Sequence, residues 1–121
     1  TYGDTVLVRA GEVLETELRA GDLLARLGGE EFVFMLPNTD TEGARRLAGR
    51  INNRFPFLPA RPESSPAKLT ASFGIAKLTA QMAELAPIDA LGLLYARADK
   101  AMYKCKMTRS SVAEVYDDNL E

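Results

Sequence analysis

No histidine occurs anywhere in the 121 residues, and the single cysteine, Cys105, has no partner for an internal disulfide. These absences exclude His/Cys metal centres and histidine-based triads, so any catalysis falls to carboxylates, lysines, arginines or a bound metal. An excess of positive charge is lacking too. Fifteen basic and 17 acidic side chains leave a formal charge of −2, without the one-sided field that grips nucleic acid by its phosphates; nucleic acid is not expected as a partner. No apolar run approaches the roughly 18 residues of a membrane span, and no signal peptide is visible, so no direct membrane contact by this segment is expected. What is present is 46% hydrophobic, an ordinary globular composition sufficient for one small domain with a modest core.

Val6, Leu7, Ala10, Val13, Leu14 and Leu18 share one helical face, predicting a helix over Asp4 to Ala20 with Gly21 as its cap. The apolar runs Leu24 to Leu27 and Phe32 to Leu36 flank Gly28-Gly29, the composition of a hairpin whose turn needs positive φ. The second run has no polar alternation and reads as a strand buried on both faces. Thr39 and Glu42 have capping-box spacing. Ala44, Leu47, Ala48, Ile51 and Phe55 then form the stripe of a helix ending near Pro56. The proline-rich stretch from Pro56 to Pro66 reads as a surface connection.

Leu69, Ala71, Phe73 and Ile75 alternate with polar or small residues, as in a strand with one face on the core, where Gly74 marks a close backbone approach or a bulge. Leu91, Leu94, Tyr95, Ala98, Met102 and Cys105 signal a last long helix, with Pro87 and Asp89 as start signals. Val112 to Tyr116 reads as an edge strand. The order describes a single α/β domain, an α+β sandwich with helices packed against a largely antiparallel central sheet.

The stretch RLGGEEFVFMLP, Arg26 to Pro37, sets two glutamates beside the hairpin tip. At an effective dielectric of about 20, two carboxylates about 5 Å apart repel by roughly 3 kcal/mol, a cost that a nearby cation removes. Successive strand side chains point to opposite faces, which gives Glu30 and Glu31 different tasks. Gly28 and Gly29 provide backbone on which a nucleotide can lie directly. A solvated tip carrying two surface acids accounts for GGEE alone equally well.

Context adds specificity. GGEEF, at Gly28 to Phe32, resembles the signature of the GGDEF family, the diguanylate cyclase domains of bacteria, in its Glu variant. Four further segments follow the family's order: GDTVL at Gly3 to Leu7, RAGD at Arg19 to Asp22, LTASFGIA at Leu69 to Ala76, and RADKAMYKCK at Arg97 to Lys106. The resemblance implies the cyclase palm, similar to that of adenylate cyclases and some polymerases. It also implies an activity that joins two GTP molecules into cyclic di-GMP with loss of two pyrophosphates. Each 3′-hydroxyl attacks the α-phosphate of the other GTP, so the implied partner is a second such domain in a homodimer. The implied cofactor is Mg²⁺, or Mn²⁺, which carboxylate oxygens can position. The implied location is the cytoplasm, whether or not the parent protein is membrane-anchored.

Carried over by position, Glu30 resembles the metal ligand and candidate general base, and Glu31 the second signature acid beside the metal. Gly28 and Gly29 match the backbone that accommodates the nucleotide. Asp4 matches the aspartate that hydrogen-bonds guanine, or is an acid suited to a helix N-terminus. Lys106 matches a phosphate-binding lysine, or is a solvated helix-end cation, and Arg109 is a further candidate for phosphate. Arg19 and Asp22 resemble the inhibitory product site, where an arginine fork and an acceptor meet guanine and phosphate. Arg46 and Arg50 lie where the family adds a second arginine to that site; a solvated helix face explains them as well.

Two departures bear on activity. The family's first strand and helix, with another metal-binding aspartate and a guanine-binding asparagine, have no counterpart, and the chain starts at Thr1. The expectation is a piece of a longer polypeptide, inactive alone. Lys106 leads into Met107, Thr108, Arg109 and Ser110 where the family typically has Gly-Arg-Asn. A non-catalytic module binding GTP or cyclic di-GMP is therefore the alternative, as is a dimerisation domain beside a phosphodiesterase module.

Overall fold

The computed structural model describes residues 2–28, 30–55, 71–108 and 112–117. They fall into two compact units, residues 1–39 with 50–70 and residues 40–49 with 71–121.

In the first unit, helix α1 spans Tyr2–Thr16. Ala10 and Leu14 of the expected stripe are buried, and Gly11 leaves room for the Phe32 ring, which an added methyl would touch at 3.6 Å. The helix stops four residues before the predicted end. Its last turn tightens through i to i+3 bonds, Glu17 N–H to Leu14 O and Leu18 N–H to Glu15 O, a common way to satisfy terminal carbonyls. Gly21 is not the cap. It sits at φ +92° in the tight turn closed by the Asp22 N–H donating to Arg19 O at 3.0 Å, at the third position, where positive φ favours glycine.

Strands β1, Leu23–Gly28, and β2, Glu31–Met35, pair antiparallel from Leu23 opposite Met35 to Gly28 opposite Glu31. Between Arg26 and Gly28 the register shifts, so Leu27 is an extra residue, a bulge that the apolar run did not reveal. The prediction that β2 is buried on both faces fails: Glu31 to Phe34 are half-buried and Met35 is exposed. Among the described residues β1 is the one strand paired with β2, and an antiparallel hairpin commonly keeps one face toward solvent.

Helix α2 spans Thr41–Arg54 and contributes to both units. Its cap is Asp40 and not Thr39. The Asp40 Oδ1 accepts from the Gly43 N–H at 2.7 Å, and its carbonyl accepts from Ala44; an aspartate next to the first turn displaces a threonine one residue further out. Leu47, Ala48, Ile51 and Phe55 are buried as the stripe predicts, Ile51 completely. The prolines that follow lie outside the described residues.

In the second unit, β3, Phe73–Ile75, pairs parallel with β4, Ala113–Val115. The described strands thus form one antiparallel and one parallel pair. A parallel pair follows from the long connection between β3 and β4, which carries two helices. The short α3, Ala80–Ala83, went unpredicted; Thr79 caps it by accepting from the Met82 N–H, and Met82 is buried. Helix α4 spans Pro87–Thr108, with Pro87 in the first turn, where a missing N–H costs nothing. Its buried residues are Ala101 and Cys105, whereas Leu91 and Tyr95 are exposed. The expected stripe is therefore too long: three-residue strands cover only part of a 22-residue helix. Gly74 makes the close approach, against α4 at Ala98 and Met102. Beyond β4, the Tyr116 N–H donates to Ile75 O at 2.7 Å and its ring lies 5.0 Å under the Arg97 guanidinium.

Candidate functional site

The hairpin tip follows from its backbone. Gly28 adopts φ +136°, a conformation essentially restricted to glycine, and a side chain placed there would meet nothing within 4 Å. Glycine is thus required by the bend and not by crowding, and the space beside the backbone is open. Glu30 follows in the turn and is exposed, while Glu31 opens β2 opposite Gly28 and is half-buried. The two acids therefore have different surroundings, although only Glu31 belongs to the strand.

Among the described residues no group of three or more Asp, Glu or Cys side chains comes together in a metal-holding arrangement. Two adjacent carboxylates at an open tip do not make a closed cage. They suit Mg²⁺ or Mn²⁺ held as Mg²⁺ is usually held, by one or two carboxylates with the remaining positions taken by water and substrate phosphates. The donor set fits a substrate-completed ion.

Arg19 and Asp22 are joined by their own turn. The Asp22 Oδ2 accepts from the Arg19 backbone N–H at 2.9 Å, and the Arg19 side chain is exposed. Arg50 extends from α2 and donates through Nε to Glu17 Oε1 at 2.9 Å. Arg54, one turn on, donates through Nη1 to Glu17 Oε2 at 3.0 Å and to Thr16 Oγ1. Glu17, with a side chain only 16% exposed, is thus clasped by two cations. The Arg50 hydrogen bond is the main cause that holds its carboxyl below the usual carboxylate range; Arg54 adds to it, and partial burial opposes it. Sequence reasoning missed Glu17, because its partners are 33 and 37 residues away and no local spacing signals such pairs.

Arg46 is exposed on α2 and Lys106 is exposed in the last turn of α4, both in the second unit. Gly29, Arg109 and the Asp4 side chain lie outside the described residues. Among the described residues no helix is long and apolar enough to cross a membrane.

Residues 1–111 match the family model described as diguanylate cyclase, GGDEF domain. The chain is 37% identical over 93% of its length to diguanylate cyclase DgcP of Pseudomonas aeruginosa, spanning 16% of that protein. It is 38% identical over 95% of its length to the probable diguanylate cyclase DgcT of Escherichia coli, spanning 25% of it. Among solved structures, the active GGEEF domain of a diguanylate cyclase from Vibrio cholerae superposes with a TM-score of 0.74 at 27% identity, covering 95% of this chain and 69% of that one. With helices and strands mixed as in that fold and the signature hairpin between β1 and β2, the chain belongs to the GGDEF domain family of diguanylate cyclases.

Proposed function

We propose that this chain is the GTP-condensing domain of a diguanylate cyclase, acting as one half of a two-domain site. The observation that carries the reading is the hairpin tip, where Gly28 bends at φ +136° beside open space and Glu30 and Glu31 come two and three residues later.

In this reading Glu30 and Glu31 hold the metal, and the bare backbone at Gly28 and Gly29 lets the nucleotide approach. When bound, Mg²⁺ neutralises triphosphate charge and acidifies the attacking hydroxyl. Glu30 accepts the proton of the 3′-hydroxyl. That oxygen forms a bond to the α-phosphorus of the facing GTP, the bond to the β-phosphate oxygen breaks, and pyrophosphate leaves. A second, symmetry-related attack closes the ring, so the reaction needs two domains face to face. Asp4 as guanine acceptor and Lys106 and Arg109 as phosphate partners rest on their sequence match alone. GTP as substrate favours a cytoplasmic location.

Arg19 and Asp22, with Arg50 as an additional cation of the same unit, form the proposed site for inhibitory cyclic di-GMP, and Arg46 as a further cation rests on its sequence match alone. The turn that fixes Arg19 against Asp22 supports this reading, since it presents a cation and an acceptor on one short segment.

Full-length protein incubated with GTP and Mg²⁺ is expected to release cyclic di-GMP and pyrophosphate, and Glu31→Ala to abolish product. A dimeric, folded protein that gives none would end the catalytic reading. The run from Lys106 to Ser110, without the family's Gly-Arg-Asn, favours a second reading, a module that binds GTP or cyclic di-GMP without turnover. Calorimetric binding without product formation would favour it.

A further inference from the structure

We propose that Glu17 is a positioning residue for product recognition, anchoring Arg50 so that its guanidinium is oriented before cyclic di-GMP arrives. The inference rests on the reading of Arg19, Asp22 and Arg50 as a product site.

Three observations make Glu17 an anchor. Its side chain is 16% exposed whereas that of Arg50 is 53% exposed, so the carboxylate is the fixed member of the pair and the guanidinium the presented one. Its second oxygen is taken by Arg54, which also binds Thr16 Oγ1, and Thr16 in turn donates from Oγ1 to Val13 O at 2.7 Å. Glu17 is thus tied into the end of α1, two residues before Arg19. The contact to Arg50 runs through Nε, which holds the guanidinium from its stem side and leaves its terminal nitrogens as donors for a ligand. One carboxylate between two guanidinium groups also leaves a net positive cluster, compatible with an anionic ligand. An unrestrained arginine loses rotamer freedom when it binds, and anchoring it beforehand removes part of that loss from the binding step.

The test uses full-length protein, with cyclic di-GMP affinity measured by calorimetry and the Arg50 Nε–H resonance followed in nitrogen-15 spectra of the ligand-free state. Glu17→Gln, which keeps the shape and removes the charge, is expected to weaken cyclic di-GMP about three- to tenfold and to shift the Arg50 Nε–H signal away from its parental position, because a neutral amide oxygen replaces the carboxylate as acceptor. Arg54→Ala, which loosens Glu17 but leaves its bond to Arg50, is expected to keep that signal near its parental position and to weaken the affinity less than Glu17→Gln does. A purely structural role for the cluster would move both variants alike and would overturn the proposal. Parental or tighter affinity in Glu17→Gln, while Arg50→Ala is weakened, overturns the role of Glu17 alone. If Arg50→Ala itself binds cyclic di-GMP like the parent, the site reading falls and the proposal with it.

Discussion

Gly74 faces Ala98 so closely that a β-carbon on Gly74 would collide with the Ala98 carbonyl oxygen and with the Met102 amide nitrogen. Both obstacles are backbone atoms of α4, which no rotamer change can move aside. Strand and helix therefore meet main chain to main chain at this point. Gly74→Ala is expected to cost on the order of 3 kcal/mol as α4 is pushed off β3, read as a lowered midpoint in urea denaturation. A midpoint within experimental error of the parent would contradict this packing.

Gly28 and Gly92 both have open space where a side chain would go, yet substitutions there should act in opposite directions. Gly28 stands at φ +136°, so Gly28→Ala is expected to lose about 1–3 kcal/mol to backbone strain alone. Gly92 lies inside α4, where replacing glycine by alanine is expected to gain about 0.5–1 kcal/mol. Thermal denaturation of the two variants side by side checks the signs.

Glu17 makes stability depend on pH. Its folded-state carboxyl lies below the ordinary value of 4.5, so its contribution is complete above that value and disappears as pH falls through the lower, folded-state value. Glu17→Gln should therefore be less stable than the parent at neutral pH, by on the order of 1 kcal/mol for so exposed a pair of arginines, and the gap should close as the solution is acidified below 4.5 and through the folded-state value. A gap that does not change on acidification would mean that the difference between the variants does not come from the ion pairs.

Asp40 carries the start of α2 through its bond to the Gly43 N–H. Asp40→Ala is expected to cost about 1 kcal/mol, and Asp40→Asn, an equally good cap, only a few tenths. Thr39→Ala should be silent. Equal losses at positions 39 and 40 in denaturation experiments would show that the cap is shared.

The features legible in the sequence were those set by local chemistry. The hairpin around Gly28, the α2 stripe through Ile51 and the tight approach at Gly74 follow from φ requirements, helical period and side-chain size. The misread features depended on distant residues. The end of α1 was set beyond Thr16, where Glu17 turns to arginines on another helix. The exposure of Leu91 and Tyr95 followed from the shortness of strands that the helix pattern alone does not reveal. Among the candidate site residues, Glu30 and Glu31 stand out by type and spacing, whereas the pairing of Glu17 with Arg50 has no local mark.

The parallel pairing of Phe73 with Ala113 bears on synthesis. These partners are about 40 residues apart, and such nonlocal pairing must meet its loop-closure cost before it is rewarded. On a ribosome, β3 emerges well before the segment that will sit beside it, leaving unpaired amides and carbonyls on that side in the meantime. A pause in translation between α4 and β4 should prolong that vulnerable interval, and a chaperone that recognises bare strand edges would find its target there.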